Sequence, residues 1–322
     1  MINESKIQQN AGKQVKSPGM IRTLQNELTI TWALCRNNLP AMLAEFIGSL
    51  LPRLLIRPMP LETNFRASFK ILLMCFLFTY VFDIGNTTSS VEEDRINKPH
   101  RPVPSGLMTL KQGYSRWILS WLLAPCVAWI LYGRLPAFLI IFEELWVFAF
   151  YVWPTFRHWI SKTIMSTALA YVILRLVNAT VTDIESWSMD TEPDLIIAAW
   201  TFCSIHLQDF RDVEGDYKTH TITVVTMLSP ANRRKTLQGT AIFMLFVNIL
   251  SMFWICSRAS HISAFITGFL FYASTGITIY YKLSATSKLD YRIMYRWWTA
   301  TLFFFIYHVY DLYLSGVSSF KF

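Results

Sequence analysis

The stretch DIGNTTSSVEEDRINKPHRPVPSG, Asp83 to Gly106, follows a long apolar run and packs acids, amides, hydroxyls and cations into a short segment. Its meaning depends on what surrounds it. The 322-residue chain is 53% hydrophobic and 16% charged, with 12 Trp, 24 Phe and a mean hydropathy of +0.34. Soluble domains carry about 25% charged residues, so this composition reads as an integral membrane protein. The net charge of +8 then suits loops that face anionic lipid and cytosol rather than nucleic acid.

Working outward, runs of roughly 20 apolar residues are long enough to cross a bilayer as helices. Nine candidates follow: 30–51, 68–85, 114–132, 136–154, 161–181, 194–208, 238–256, 262–281 and 293–315. The sixth is short, and the first carries Arg36, Asn37 and Asn38. No strand pattern, linker or low-complexity segment interrupts them. The expected organisation is a polar cytosolic tail, 1–28, followed by one all-helical membrane domain, 29–322. The tail lacks an apolar core, so no cleaved leader is expected. The cysteines (35, 75, 126, 203, 256) all lie in apolar runs without a CxxC pair and read as small packing residues.

Lys and Arg fix the orientation. They concentrate in the tail, in the loop after the second span, in the loop after the sixth (Arg211, Lys218, Arg233, Arg234, Lys235) and in the loop after the eighth. With the tail inside, the polar stretch at 83–106 faces the cytosol. The sequons at Asn86 and Asn178 then sit on the cytosolic side and at a membrane edge, and neither is expected to carry glycan.

Within the stretch, Asn86, Ser90 and Asp94 recur at i, i+4, i+8, one face of a helix. An amide, a hydroxyl and a carboxylate in a row are hard oxygen ligands suited to Mg²⁺; a solvated, acid-rich helix end has the same composition. The run QDFRDVEGDYK, 208–218, places Asp209, Asp212 and Asp216 on another helical face, with Gly215 expected to loosen its last turn. Both acidic clusters follow even-numbered spans and lead into basic loops, so both face the same side. Two acidic patches with cations nearby suit an Mg²⁺–diphosphate complex, because carboxylates bind a polyanion only through divalent ions. Arg95, Lys98, Arg101 and Lys218 are candidates to neutralise a leaving diphosphate; ordinary placement of cations inside accounts for any one of them equally well.

INKPHRPVPSG (96–106) together with DFRDVEGD (209–216) resembles the UbiA superfamily of intramembrane prenyltransferases. The resemblance implies nine transmembrane helices in a ring around a central apolar cavity. It also implies two acidic motifs that bind Mg²⁺ and an isoprenyl diphosphate at the cytosolic mouth. The first motif departs from the family's NDxxDxxxD: Thr87 and Ser90 stand where Asp is usual. The remaining N-x3-S-x3-D resembles the metal triad of class I terpene cyclases, a pattern known in membrane-bound terpene cyclases of this superfamily. The second motif keeps all three Asp. The resemblance therefore implies a Mg²⁺-dependent cyclase of an isoprenyl diphosphate, with farnesyl diphosphate the first substrate to test. The alternative is a prenyltransferase that moves the isoprenyl group to an aromatic or other acceptor.

The resemblance also adds Arg36 and Asn38 near the diphosphate, where helix packing is the competing role, and Tyr151 and Arg157 in FYVWPTFRHW. Glu143 and Glu144 are expected to face the cavity or to pair with Arg175 or Arg296, and His206 to be structural. Tyr80, Phe82, Trp200 and Phe202 are candidates to shelter a carbocation or to be core and interfacial aromatics. A transporter or receptor is the reading from another class, but no inverted repeat supports it. Absence of a leader fits the endoplasmic reticulum in a eukaryote or the inner membrane of a bacterium.

Overall fold

The computed structural model describes residues 20–56, 60–152, 158–182, 191–256 and 288–314, with the isolated positions 273 and 276. Among these the chain is helical, with no strand. The principal helices are α1 (Met20–Cys35), α2 (Leu39–Ile56), α3 (Leu61–Ser89), α4 (Val91–Asn97), α5 (Leu110–Tyr132) and α6 (Arg134–Val147). They continue with α7 (Trp159–Thr182), α8 (Glu192–Ser204), α9 (Asp209–Lys218), α10 (Val224–Met227), α11 (Pro230–Cys256) and α12 (Lys288–Leu314). A π turn, Phe148–Val152, extends α6, and a 3-10 turn, Ile205–Gln208, joins α8 to α9.

Packing neighbours run α2, α3, α5, α6, α7, α8, α12 and back to α2, and α2 also reaches α7. The outward faces are apolar. Phe65, Phe69, Leu72 and Phe76 form an exposed stripe on α3, and Ile118, Leu122, Trp129 and Ile130 do the same on α5. Exposed apolar surface on this scale marks a membrane-facing protein. Among the described residues three helices are long and apolar enough to cross a bilayer: Leu61–Ser89, Leu110–Tyr132 and Trp159–Val181. The eighth expected span, 262–281, lies outside the described residues apart from the two isolated positions, so the described structure does not contain a nine-helix ring.

Four local features depart from the sequence expectations. The first span is two helices, because α1 stops at Cys35 and α2 starts at Leu39 after a turn at Arg36–Asn38. Asn38 turns inward there, its amide donating to Asp83 Oδ1 at 2.5 Å, which fixes the break against α3. Asn86, Ser90 and Asp94 do not share one helix: α3 ends at Ser89, and Ser90 (φ −118°, ψ 34°) separates it from α4. The cause is the hydroxyl run, since Thr88, Ser89 and Ser90 bond back to the carbonyls of Ile84, Gly85 and Asn86 at 2.7, 2.7 and 2.6 Å and compete with the helical ladder. Conversely, α9 passes through Gly215 without loosening. Between α5 and α6 a single residue suffices, because Gly133 adopts φ 96°, a conformation that costs glycine nothing.

Two polar levels lie along the bundle. Asn38, just before α2, and Tyr295 on α12 mark one. Arg53 and Tyr310, fifteen residues further along the same helices and so about 22 Å away, mark the other. At the second level Arg53 donates to Asn178 and sits over the Tyr310 ring at 4.2 Å. Tyr310 donates to Asp194, which also receives Arg175 at 3.3 Å and Asn178 at 2.9 Å. All are buried, and they tie α2, α7, α8 and α12 together away from the acidic motifs. A buried ion pair needs such extra hydrogen bonds to offset its desolvation.

Candidate active site

At the first level, α4 and α9 lie side by side, clamped by Asn97. Its amide donates to the Asp212 carbonyl at 2.8 Å, and its carbonyl accepts from Gly215 N–H at 2.9 Å. The approach is so close that a Cβ on Gly215 would stand 2.2 Å from Asn97 Nδ2 and 2.6 Å from its Cγ. This contact is why the motif carries Gly inside a helix. It also brings the two acidic motifs to one end of the bundle: Lys98 Nζ lies 2.9 Å from Asp212 Oδ2 and 4.0 Å from Asp94 Oδ1.

Below this junction a cavity of about 360 Å³ opens between α2, α3, α7 and α12. Its mouth carries Asn38, Asn86, Ser90, Lys98, Lys162 and Asp212; deeper, Met42, Phe82, Phe150, Met165 and Leu169 make it apolar. Of the six motif residues, Asn86, Ser90 and Asp212 line this cavity, whereas Asp94, Asp209 and Asp216 are buried behind its surface. Ser90 Oγ lies 3.1 Å from Asn86 Oδ1, so the amide and hydroxyl of the first motif meet despite the helix break. Asp94 turns toward Arg101, at 2.7 Å.

The cations sort by environment. Arg101 is fully buried and held by Asp94 and, at 3.5 Å, by Asp83. Lys98 reaches the mouth. Arg95 and Lys218 point away: their side chains are 60% exposed and pair with Glu92 and Glu214. Arg36 lines a second cleft rather than the cavity. Arg157 lies outside the described residues, as does the Tyr151 side chain. Two further cations, whose positions in the sequence mark them only as loop charges, are at the site. Lys162, at the start of α7, stands 2.6 Å from Asp209 and 4.0 Å from Asp216. Arg211 pairs with Asp212 at 3.2 Å and packs over the Tyr295 ring at 4.1 Å.

These charges separate the acids electrostatically. Burial would raise Asp212, but Arg211 and Lys98 outweigh it and hold its carboxyl well below the usual range. Burial pushes Asp216 up to about 7, against Lys162 and reinforced by Glu93, Asp209 and Asp212. Both Asp216 oxygens are buried without a hydrogen-bond partner among the described residues, as is Asp94 Oδ1. Buried carboxylate oxygens with no donor, crowded by other acids, fit a site for a divalent cation. No three His, Cys, Asp or Glu side chains among the described residues form a ready cage. Mg²⁺ does not require one, since it is usually held by one or two carboxylates together with substrate phosphates.

Other expectations are revised. Among the proposed aromatics only Phe82 lines the cavity, where Phe150, Tyr295 and Trp298 join it. Trp200 stacks on Phe305 in the core at 5.0 Å, and Phe202 is exposed. Glu143 and Glu144 are buried on α6 but do not line the cavity, and Arg175 pairs with Asp194 instead. His206 bonds Thr240 Oγ1 at 2.8 Å, a structural role. Asn86 and Asn178 are both buried. The second cleft, about 750 Å³, lies between α2 and α12 and shares Lys98, Arg211, Asp212 and Tyr295 with the first cavity as a common wall.

Comparison with known proteins places this geometry. The chain is 30% identical to the diterpene cyclase eriG of Hericium erinaceus, over 43% of this chain and 44% of that protein. It is 35% identical to the polyprenyl transferase eriF of the same organism, over 43% of this chain and 47% of that protein. These matches thus span under half the length of either relative. The somaliensene A/B synthase of Streptomyces somaliensis is 27% identical over 66% of this chain and 70% of that protein. Among solved structures, a digeranylgeranylglyceryl phosphate synthase superposes with a TM-score of 0.56 at 17% identity, covering 90% of this chain and all of that one. A UbiA homologue from Archaeoglobus fulgidus bound to DMAPP and Mg²⁺ gives 0.56 at 12% identity, covering 88% and 99%. The model of the UbiA prenyltransferase family matches residues 59–309, most of the chain and both acidic motifs, and the protein belongs to that family.

Proposed function

We propose that the protein is a membrane-bound, Mg²⁺-dependent enzyme that ionises an isoprenyl diphosphate, with farnesyl diphosphate as first candidate, and cyclises the resulting cation. The observation that carries this is the junction of α4 and α9 over an apolar cavity. Lys98 bridges the two motifs there, and Asp216 presents two buried oxygens that accept no hydrogen bond among the described residues. The relatives named as a cyclase and a synthase support the cyclising branch, and the A. fulgidus homologue bound to DMAPP and Mg²⁺ supports the ligand class.

Asn86 and Ser90 would hold a metal from the first motif, with Asp94 behind them, and Asp209, Asp212 and Asp216 from the second. The bound metal supplies positive charge at the departing diphosphate. Lys98 and Lys162 face the same mouth and bind the anion, while Arg101 and Arg211 hold Asp94 and Asp212 in place. A unit-charge pair at 4 Å is worth about 4 kcal/mol at an effective dielectric near 20, so a few such contacts reach the scale needed to break an allylic C–O bond. The lining of Met42, Phe82, Phe150 and Leu169 excludes water from the cation. Arg36, Arg95 and Lys218 have no part in this arrangement. The bias of Lys and Arg toward the loops around the two motifs supports a mouth that faces the cytosol, and membership of the UbiA family supports a nine-helix ring.

Purified protein in detergent, given farnesyl diphosphate and Mg²⁺ alone, is expected to release diphosphate and a hydrocarbon detectable by gas chromatography. Product that forms only when an acceptor is added refutes cyclisation and leaves prenyl transfer. The second cleft, open to the shared wall, favours that alternative, as does the match to the polyprenyl transferase eriF.

A further inference from the structure

We infer that Glu45 is a catalytic residue of the cavity, the base that ends the carbocation sequence by removing a proton. The inference rests on the cyclase reading. On α2, Ala41, Met42 and Glu45 line the cavity, with Asn38 just before the helix on the same side, spaced as one helical face. Asn38 lies at the mouth and is held by Asp83. Glu45 lies seven residues deeper, about 10 Å along the axis, level with the apolar lining rather than with the diphosphate motifs. It is 7% exposed, and its Oε2 is buried without a hydrogen-bond partner among the described residues. Ser49 Oγ, the nearest hydroxyl one turn on, bonds the backbone carbonyl of Glu45 rather than its carboxyl. A lone acid in an apolar wall is costly unless used, and packing alone would favour a leucine or methionine there.

The chemistry of a deep cavity with an apolar lining gives such an acid a task. Ionisation breaks the allylic C–O bond, and its electron pair leaves with the diphosphate. Alkene π electrons then form the new C–C bond and carry the positive charge into the chain, away from the mouth. A neutral hydrocarbon results only when a C–H bond next to the cation breaks, its electron pair becoming a C=C bond and its proton passing to a base. Glu45 Oε2 accepts that proton. The resulting carboxylic acid returns it to water once the product has left, so no oxidant or further reactant is needed. The motif acids are committed at the mouth and the lining at this depth is apolar, so Glu45 determines which proton is lost and hence which double bond the product carries.

The test uses wild type, Glu45→Gln and Glu45→Asp, purified in detergent with farnesyl diphosphate and Mg²⁺. Diphosphate release, the product profile by gas chromatography and mass spectrometry, melting temperature and intact mass are all read. In Glu45→Gln the wild-type hydrocarbon is expected to fall at least tenfold relative to diphosphate released, replaced by other alkenes or by alcohols. Glu45→Asp is expected to restore part of it with altered double-bond ratios. Should Glu45→Gln not fold, the ratios of Glu45→Asp decide: changed ratios support the assignment and wild-type ratios overturn it. An unchanged Glu45→Gln profile, or an isoprenyl ester on Glu45 by intact mass, overturns the assignment while leaving the cyclase reading intact. Wild type that makes no hydrocarbon without an acceptor refutes the cyclase reading, and the role of Glu45 falls with it.

Discussion

Replacing Gly215 by alanine isolates the contact that joins the two acidic motifs. In an ordinary helix interior the change stabilises by about 0.5–1 kcal/mol, because glycine has more freedom to lose. At this position the new Cβ would stand 2.2 Å from Asn97 Nδ2 and 2.8 Å from Oδ1. The Asn97 side chain has to rotate away, losing its bonds to Asp212 O and Gly215 N–H. Two such bonds are worth about 1 kcal/mol each, and a buried amide left without partners costs about 1–3 kcal/mol more. Set against the helix gain, Gly215→Ala should destabilise by about 2–4 kcal/mol. The assay is reversible unfolding in mixed micelles, run as a double-mutant cycle with Asn97→Ala. Without the carboxamide the three atoms nearest the new methyl are gone, so Gly215→Ala should become neutral or stabilising in that background. A Gly215→Ala variant as stable as wild type would refute the clamp, and so would a penalty that persists unchanged after Asn97→Ala.

Other outcomes follow from the same geometry. Lys162→Met removes the cation 2.6 Å from Asp209, and the KM for the isoprenyl diphosphate should rise roughly 10- to 100-fold on the scale of one charge-assisted contact. Lys218→Ala and Arg95→Ala, at exposed pairs, should change KM less than twofold, since such pairs contribute little. Asp216→Asn should raise the melting temperature of ligand-free protein by relieving repulsion among buried acids, yet abolish the stabilisation that Mg²⁺ plus diphosphate ester gives wild type; differential scanning fluorimetry reads both. Tyr310→Phe removes a donor to Asp194 and should cost about 1–3 kcal/mol of stability, with kcat per folded molecule unaltered.

The helices, the membrane class and the two motifs were legible because each is a local pattern: apolar runs of fixed length and acids at helical spacing. What escaped was set by contacts distant in sequence or by side-chain competition. Lys162 looks like any loop cation until α7 packs beside α9. Arg211 looks like a basic-loop residue until Tyr295 arrives from the far end of the chain. The helix break at Ser90 was written in the run Thr87–Ser90, but a repeat of i, i+4, i+8 masks it. Gly215 suggested weakness, and only the partner across the gap, Asn97 in the INKP run, shows that its missing side chain is what α4 requires. Glu45 drew no notice because one acid in an apolar span has no pattern; the cavity beside it supplies the context.

Asp194 carries a consequence for biogenesis. Two of its partners, Arg175 and Asn178, are synthesised before it, while the third, Tyr310, emerges 116 residues later. Helix α8 has thirteen residues, about 20 Å long, shorter than a bilayer's hydrocarbon core of about 30 Å. During translation this stub therefore holds an incompletely partnered acid in or near lipid. Only the arrival of the last described helix completes its shell, so a nascent chain that ends before Tyr310 carries this acid with one donor missing.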